Sequence, residues 1–339
     1  VSTLELTSID DFLGPRDSRF LGEGFKRVEH TLTGLTLTPP AAGTPDAAEG
    51  GIEATAHVTL PGLWSRKGDR HQKPHLSSVD VMLFAARLTG LYAAHTHGLA
   101  PDSPFEVLSV DMRAGSTPDE EGLEQLPVSG RLVAAGTSGA HRSTTLDCRI
   151  GSLTARVHAR HAVGRRPSTT RRTYHLAEEL PGPWNDAPYG VPHGARRQLL
   201  TGVGVTGGTE DDHRASARVA LVPDGAEAAQ DDAPATMVDA LVSVMQLGQV
   251  LLYTLDGVER ARSNNLWMRR ARIRLDDTGP GTGDEVTAVL RQARLLPAPT
   301  GTWRSAEVAG ALHGVRVQVA VAHLLGPSEA PSGSGEEGR

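Results

Sequence analysis

Two stretches of this chain carry the same apolar rhythm, and the distance between them constrains what the remainder can fold into. Ser77 to His95 and Ala235 to Leu255 are each apolar at spacings of three and four residues, the period of a helix with a face against a core. Laying Val79-Asp80 on Val238-Asp239 sets an offset of 159 residues. Close to that offset, Phe105 to Arg113 falls near Asn264 to Arg272, Val128 to Thr137 near Thr287 to Leu296, and Ser152 to His161 near Ala311 to Ala320. These segments alternate as strands do, with Leu153, Ala155, Val157 and Ala159 set against Val315, Val317, Val319 and Val321. Two more strands precede each helix: Val28 to Leu37 and Ile52 to Leu60, then Gln198 to Val205 and His213 to Val222. The order β-β-α-β-β-β-β therefore occurs twice.

One apolar helix per unit suits one antiparallel sheet face, because a single helix covers a single face. The expected class is α+β, a tandem or double hotdog fold in which two antiparallel sheets each wrap one long central helix. The expected boundaries are a first unit at 1–163, a Pro-rich linker at 164–195, a second unit at 196–326, and a disordered Ser-, Gly- and Glu-rich tail at 327–339.

Composition removes several classes of function. The net charge is −6 and the arginines are scattered, so no basic face is offered to nucleic acid. The lone Cys148 excludes an internal disulfide framework and a Cys-rich zinc site, as a reducing cytoplasm would favour. Val1 to Phe12 lacks a basic region followed by an apolar one, and no apolar run suggests a membrane span, so a cytoplasmic location is expected. His95 and His97 imply no third metal ligand, and no Gly-rich stretch continues as a nucleotide loop, so neither metal nor cofactor is expected.

The loop before the first helix, Trp64 to His75, is dense in groups that move protons or hold anions, whereas its counterpart, Asp224 to Pro234, has no His, Lys or Arg. One working cleft is therefore expected, built from the loop 64–75 and the start of the second helix. His71 and His75 are the candidate bases, with a solvated loop histidine as the alternative for each. Asp239 and its counterpart Asp80 are candidate catalytic carboxylates, or first-turn acids that stabilise the helix N-termini. Trp64, Gln246, Asn265, Trp267 and Arg269 are candidate substrate-binding residues, the last three sent to one face by strand alternation.

The opening Ser8-Ile9-Asp10-Asp11-Phe12-Leu13-Gly14-Pro15, the following Arg19-Phe20-Leu21-Gly22-Glu23-Gly24-Phe25-Lys26, and the later Asn264-Asn265-Leu266-Trp267-Met268-Arg269 resemble the avirulence protein D family. That resemblance implies syringolide-like acylated sugar lactones, made by joining a β-ketoacyl thioester to a polyol or ketose. Butyrolactone-signal synthases are similar in pairing hotdog units. The helix start Met237-Val238-Asp239-Ala240 is also similar to hotdog dehydratases, which implies His71 or His75 working opposite Asp239, although the flanking Phe-Pro-Gly of those enzymes is absent here. The expected partners are an acyl thioester, on a carrier protein or on CoA, and a small polar acceptor; a homodimer is compatible with the paired architecture. A dehydratase or cyclase on a carrier-bound polyketide chain and a non-catalytic acyl-binding protein are the competing readings.

Overall fold

The computed structural model of the chain describes residues 4–41, 50–60, 62–164, 167–207, 213–225, 233–276 and 283–325. The tail expected at 327–339 and residues 226–232 of the second pre-helix loop lie outside the described residues. The chain opens with β1 (Leu4–Ser8) and α1 (Asp10–Leu13). Next come β2 (Glu29–Thr38), β3 (Gly51–Thr59), the short hairpin of β4 (Arg66–Lys67) and β5 (Arg70–His71), α2 (Ser78–His97), β6 (Phe105–Arg113), β7 (Leu126–Ser138), β8 (His141–Ile150) and β9 (Leu153–Ala162). After β10 (Arg172–Leu176) and α3 (Pro183–Asp186) the pattern repeats with β11 (Arg196–Thr206), β12 (Arg214–Pro223), α4 (Met237–Asp256), β13 (Trp267–Leu275), β14 (Glu285–Ala298), β15 (Gly301–Leu312) and β16 (Val315–Leu324).

The two expected sheets are continuous with one another. Fourteen strands form one antiparallel sheet in the order β1-β11-β12-β14-β15-β16-β13-β6-β9-β8-β7-β3-β2-β10. The halves join where β6 pairs with β13, placing Val110 opposite Ile273 and Asp111 opposite Arg272. Asp111 there accepts from Arg272 at 3.0 Å and Arg274 at 3.2 Å, so opposite charges reinforce the backbone ladder at the join. Helix α2 touches β2, β3, β6, β7, β8 and β9, and α4 touches β11 to β16, so each half has the hotdog arrangement of one helix against its own strands.

Within the segment expected to be a linker, 164–195, the described residues from Arg172 to Tyr189 pack on the first half. Strand β10 pairs with β2, and β1 pairs with β11 in the same way: the step from Leu4 to Arg172 equals the step from Leu37 to Val205, 168 residues in each case. Each repeat thus begins one strand earlier than its helix pattern reveals, and each first strand is handed to the edge of the other half. The segments that follow those strands cover the helices. Tyr174 Oη lies 3.0 Å from His95 Nδ1, the Tyr189 hydroxyl donates to the Met82 carbonyl at 2.9 Å, and Trp184 packs on Gly90 of α2. Across α4 lie α1 and Arg19, whose guanidinium donates to Gln246 Oε1 at 2.8 Å. This double cover explains why α2 is buried at every position from Val79 to His97 and has no solvent face. Helix α4, contrary to the sequence expectation, is long and apolar enough to cross a membrane by length and composition, but 83% of its apolar window is buried in this core.

Both helices start with the same capping box. The Ser77 hydroxyl accepts from the Asp80 N–H, and Asp80 accepts from the Ser77 N–H at 2.7 Å. Thr236 and Asp239 repeat the exchange, with 2.8 Å from the Thr236 N–H to Asp239. The other carboxylate oxygen is also used: Asp80 Oδ1 lies 2.8 Å from His30 Nε2, and Asp239 Oδ1 accepts from Gln198 at 2.7 Å. Arg196 adds a 2.6 Å ion pair to Asp239. The desolvation penalty of two buried carboxylates is therefore offset by several donors each. Gly98 and Gly257 end the helices with φ of 65° and 62°, a left-handed turn that a side chain would strain.

Two stability outcomes follow from these contacts. Asp239→Ala removes a buried carboxylate that caps α4 and accepts from Gln198 and from Arg196, itself 2% exposed, and should lower unfolding free energy in urea by about 3–5 kcal/mol; Thr236→Ala should cost about 1 kcal/mol. Similar small losses for both would show that the ion pair contributes nothing beyond the cap. Gly90→Ala places a Cβ 2.1 Å from the Trp184 Cβ, an atom close to the backbone that cannot swing aside. The intrinsic helix gain of about 1 kcal/mol should be outweighed, for a net loss of about 1–3 kcal/mol. A more stable variant would mean that Trp184 is not seated against α2.

Candidate functional site

A cavity of about 560 Å³ lies where the two halves meet. Its apolar wall comes from Leu241 and Met245 on one face of α4, together with Val319 and Val321 of β16, positions that the helix and strand periods bring to a common side. The opposite wall is the loop expected to equip the first unit, contributing Trp64, Ser65, Lys67, Gln72 and His75, and Ser77 and Ser78 bring the positive end of α2 to the cavity. Arg19, Arg260 and Arg269 complete the polar part. Among the described lining residues none is Asp or Glu, so the cavity carries a positive field with no internal carboxylate to neutralise it.

His75 sits at the centre of an aromatic row. Its ring centroid is 4.5 Å from that of Trp64 and 5.5 Å from that of Trp267, and Trp64 continues to Phe20 at 4.6 Å. The Nδ1–H donates to the Lys73 carbonyl at 3.2 Å, which fixes the tautomer and leaves the lone pair on Nε2. Burial lowers the pKa from its ordinary value of 6.5 and outweighs the opposing pull of that carbonyl, so the imidazole is neutral at pH 7. A neutral, oriented imidazole can accept a proton.

The structure gathers Trp64, His75, Asn265, Trp267 and Arg269 around this cavity. Arg269 is steadied by donating to the Gly115 carbonyl at 3.2 Å. Leu266 and Met268 line the cavity too, because the ladder between β13 and β16 shifts register between Met268 and Arg270 and breaks simple alternation. Four other candidates are corrected. His71 is exposed on β5, where the tight hairpin pairs it with Arg66 and keeps it off the lining. Asp239 and Asp80 are absent from the lining because both carboxylates are consumed by the caps and their strand partners, so the expected His–Asp239 couple does not form. Gln246 points to Arg19 behind the wall, and Gln249, nearly one turn further along α4, lines the cavity instead. The cleft is thus asymmetric, but it uses the second and later turns of α4 rather than its start.

Three lining residues had not been singled out from the sequence. Lys67 is 7% exposed, and its Nζ donates to Ser263 Oγ at 3.0 Å and to the Asn264 carbonyl. Burial, reinforced by Arg260 and Arg70, lowers its pKa to about 7. Arg19, 2% exposed, is held by Asp10 and Gln246, and desolvation brings its pKa down to about 10. Arg260 arrives on the turn after α4 and is likewise depressed by burial. Lys67 stands inside the loop whose chemistry drew attention. Nothing in the linear order of Arg19 and Arg260 places them at that loop, since both reach it through tertiary contacts.

No curated protein matches the sequence. Among solved structures, a tesB protein of Mycobacterium avium subspecies paratuberculosis is similar at 12% identity, covering 80% of this chain and 93% of its own, with a TM-score of 0.40. An acyl-ACP thioesterase from Bacteroides thetaiotaomicron covers 88% of this chain and 99% of its own at 8% identity and a TM-score of 0.35. The dehydratase domain of RzxB from Pseudomonas fluorescens covers 81% and 94% at 13% identity and a TM-score of 0.34. The model of the Pseudomonas avirulence D protein family matches residues 4–326, nearly the whole chain, and the chain belongs to that family.

Proposed function

We propose that this chain is an enzyme of specialised metabolism that takes an acyl thioester, specifically a β-ketoacyl one, and condenses it with a polyol or sugar-like acceptor. One observation carries the reading: a single cavity joins an apolar wall fit for an acyl chain to a neutral, oriented His75 and a polar wall free of carboxylates. The resemblance to the avirulence D family supplies the substrate class, through the acylated sugar lactones it implies.

In this reading the acyl chain lies along Leu241, Met245, Val319 and Val321, and the acceptor hydroxyls meet Gln72, Gln249 and Asn265. His75 Nε2 removes the proton from an acceptor hydroxyl as its oxygen attacks the thioester carbon. The carbonyl electrons move to oxygen, where the start of α2 and Arg269 offset the charge. On collapse the C–S bond breaks and the thiol leaves with the proton that His75 held. Asp80 and Asp239 have no part in proton transfer; they fix where the two helices begin. A dehydratase would use a carboxylate facing the histidine, and the cavity offers none among its described residues, which favours acyl transfer over dehydration.

The test is turnover of β-ketoacyl thioesters, on CoA or on a carrier protein, with a panel of polyols and ketoses, followed by mass analysis of products. His75→Ala should lower kcat/KM by about 100- to 10,000-fold, and His71→Ala should leave it near that of the parent. Because the base must be unprotonated, the rate should climb as pH rises through a His75 pKa below 6.5. Unchanged turnover in folded His75→Ala protein would remove this residue from the chemistry, and no condensation with any member of the panel would remove the assignment.

A further inference from the structure

Lysine is scarce in this chain, 3 residues against 31 arginines. Two of the three are held in ion pairs with carboxylates, buried Lys26 with Glu23 at 2.9 Å and exposed Lys73 with Glu120 at 2.6 Å. The third, Lys67, lines the cavity, and the charged groups facing it are Arg70 and Arg260, cations both. An ammonium there is desolvated and repelled. A guanidinium would supply a charge at that point equally well but could not shed its proton, so the particular property lysine brings is a neutral amine.

Local geometry suits that form. The β4–β5 hairpin presses Lys67 against the turn after α4, where Ser263 Oγ and the Asn264 carbonyl accept from Nζ. Those two acceptors account for both hydrogens of a neutral amine, and the remaining tetrahedral position holds its lone pair. With the pKa brought to about 7, a large share of the side chain is neutral at physiological pH.

We propose that Lys67 is a nucleophile that forms an imine with the ketone of the bound β-ketoacyl group, an inference that rests on the acyl-thioester reading for its substrate. The nitrogen lone pair adds to the ketone carbon and the C=O electrons move to oxygen. One proton passes from the nitrogen to that oxygen and one more is taken up from solvent, so the oxygen leaves as water and a protonated C=N bond remains. Transfer of a proton from the carbon between iminium and thioester to His75, which lines the same cavity, gives an enamine. That carbon can then attack a carbonyl of the acceptor, and water finally cleaves the C–N bond and restores the amine.

The experiment uses the full-length protein with a β-ketoacyl thioester of N-acetylcysteamine and sodium cyanoborohydride, read by intact mass and peptide mapping. One reduced adduct, at Lys67 and absent from Lys26 and Lys73, is expected, with trapping faster as pH rises through about 7. Lys67→Arg, which keeps the charge and the donors, should show native circular dichroism, no adduct and at least 100-fold lower turnover. A parent protein that turns over the thioester while Lys67 stays unmodified, or a Lys67→Arg variant that keeps full turnover, overturns the proposal and leaves the acyl-thioester reading standing. An adduct formed by a ketose but not by the thioester overturns it as well. If the parent turns over no thioester and 2,4-pentanedione nevertheless labels Lys67 alone, the nucleophile stands and the acyl-thioester reading falls.

Discussion

Each central helix is enclosed on both sides because a segment from the other half of the repeat lies across it. Little water reaches a helix enclosed in this way, so a terminus or polar side chain left without a partner inside the protein is costly. The caps at Ser77–Asp80 and Thr236–Asp239 do this at the starts. At the ends the solutions differ. Asp256 of α4 is held by Arg304 and by His323 at 2.9 Å, whereas His97 of α2 accepts from Arg142 at 3.0 Å and stacks on His161 at 5.0 Å. With no carboxylate partner for His97 among the described residues, burial, followed by His161 and Arg142, lowers the His97 pKa to about 4, and the same position in the repeat is charged in one half and neutral in the other.

The cavity follows from the same exchange. The segment after β1 crosses to α4 and delivers Arg19 and Phe20 to a wall otherwise made by the loop 64–78, while the joining of β6 to β13 brings the start of β13 beside that loop. Chemistry is concentrated on one side because the two pre-helix loops differ: one carries His75, Lys67 and Trp64, and the other has no basic residue. The repeat thus supplies two equivalent frames, with side chains suited to proton transfer on the loop of one of them.

The doubled order of strands and helices was legible because apolar periodicity survives divergence. The caps were legible as well, since Ser-x-x-Asp and Thr-x-x-Asp stand directly before the apolar runs. The exchanged strands were not. Leu4–Ser8 and Arg172–Leu176 share no chemical pattern, and their spacing has grown to 168 residues from the 159 that separates the helices. Which strands meet at the join was hidden for a related reason: Asp111 and the arginines at 270, 272 and 274 are complementary, but a register is needed to see that they meet. At the site, the polar loop and the β13 segment were readable as local clusters. For Asp239 the sequence left the catalytic and the first-turn readings both open, because its neutralising partners, Arg196 and Gln198, lie on a strand some forty residues upstream.

Reciprocal exchange also sets the order in which the molecule can be completed. Strand β1 leaves the ribosome long before its partner β11, so Leu4 meets Val205 only after two hundred more residues have been made. The first half meanwhile holds α2 without its outer cover until residues 172–193 emerge, and an uncovered apolar helix is a surface for wrong associations. The first half can therefore close only once residues 172–193 have emerged, and β1 is paired only once β11 has been made. Folding is governed by contacts of long sequence separation, which makes it slow relative to a chain of two self-contained domains. Evolution of such a chain by cutting at the midpoint is correspondingly blocked: a gene fragment ending near residue 164 would encode a sheet without its outer strand and a core without its lid.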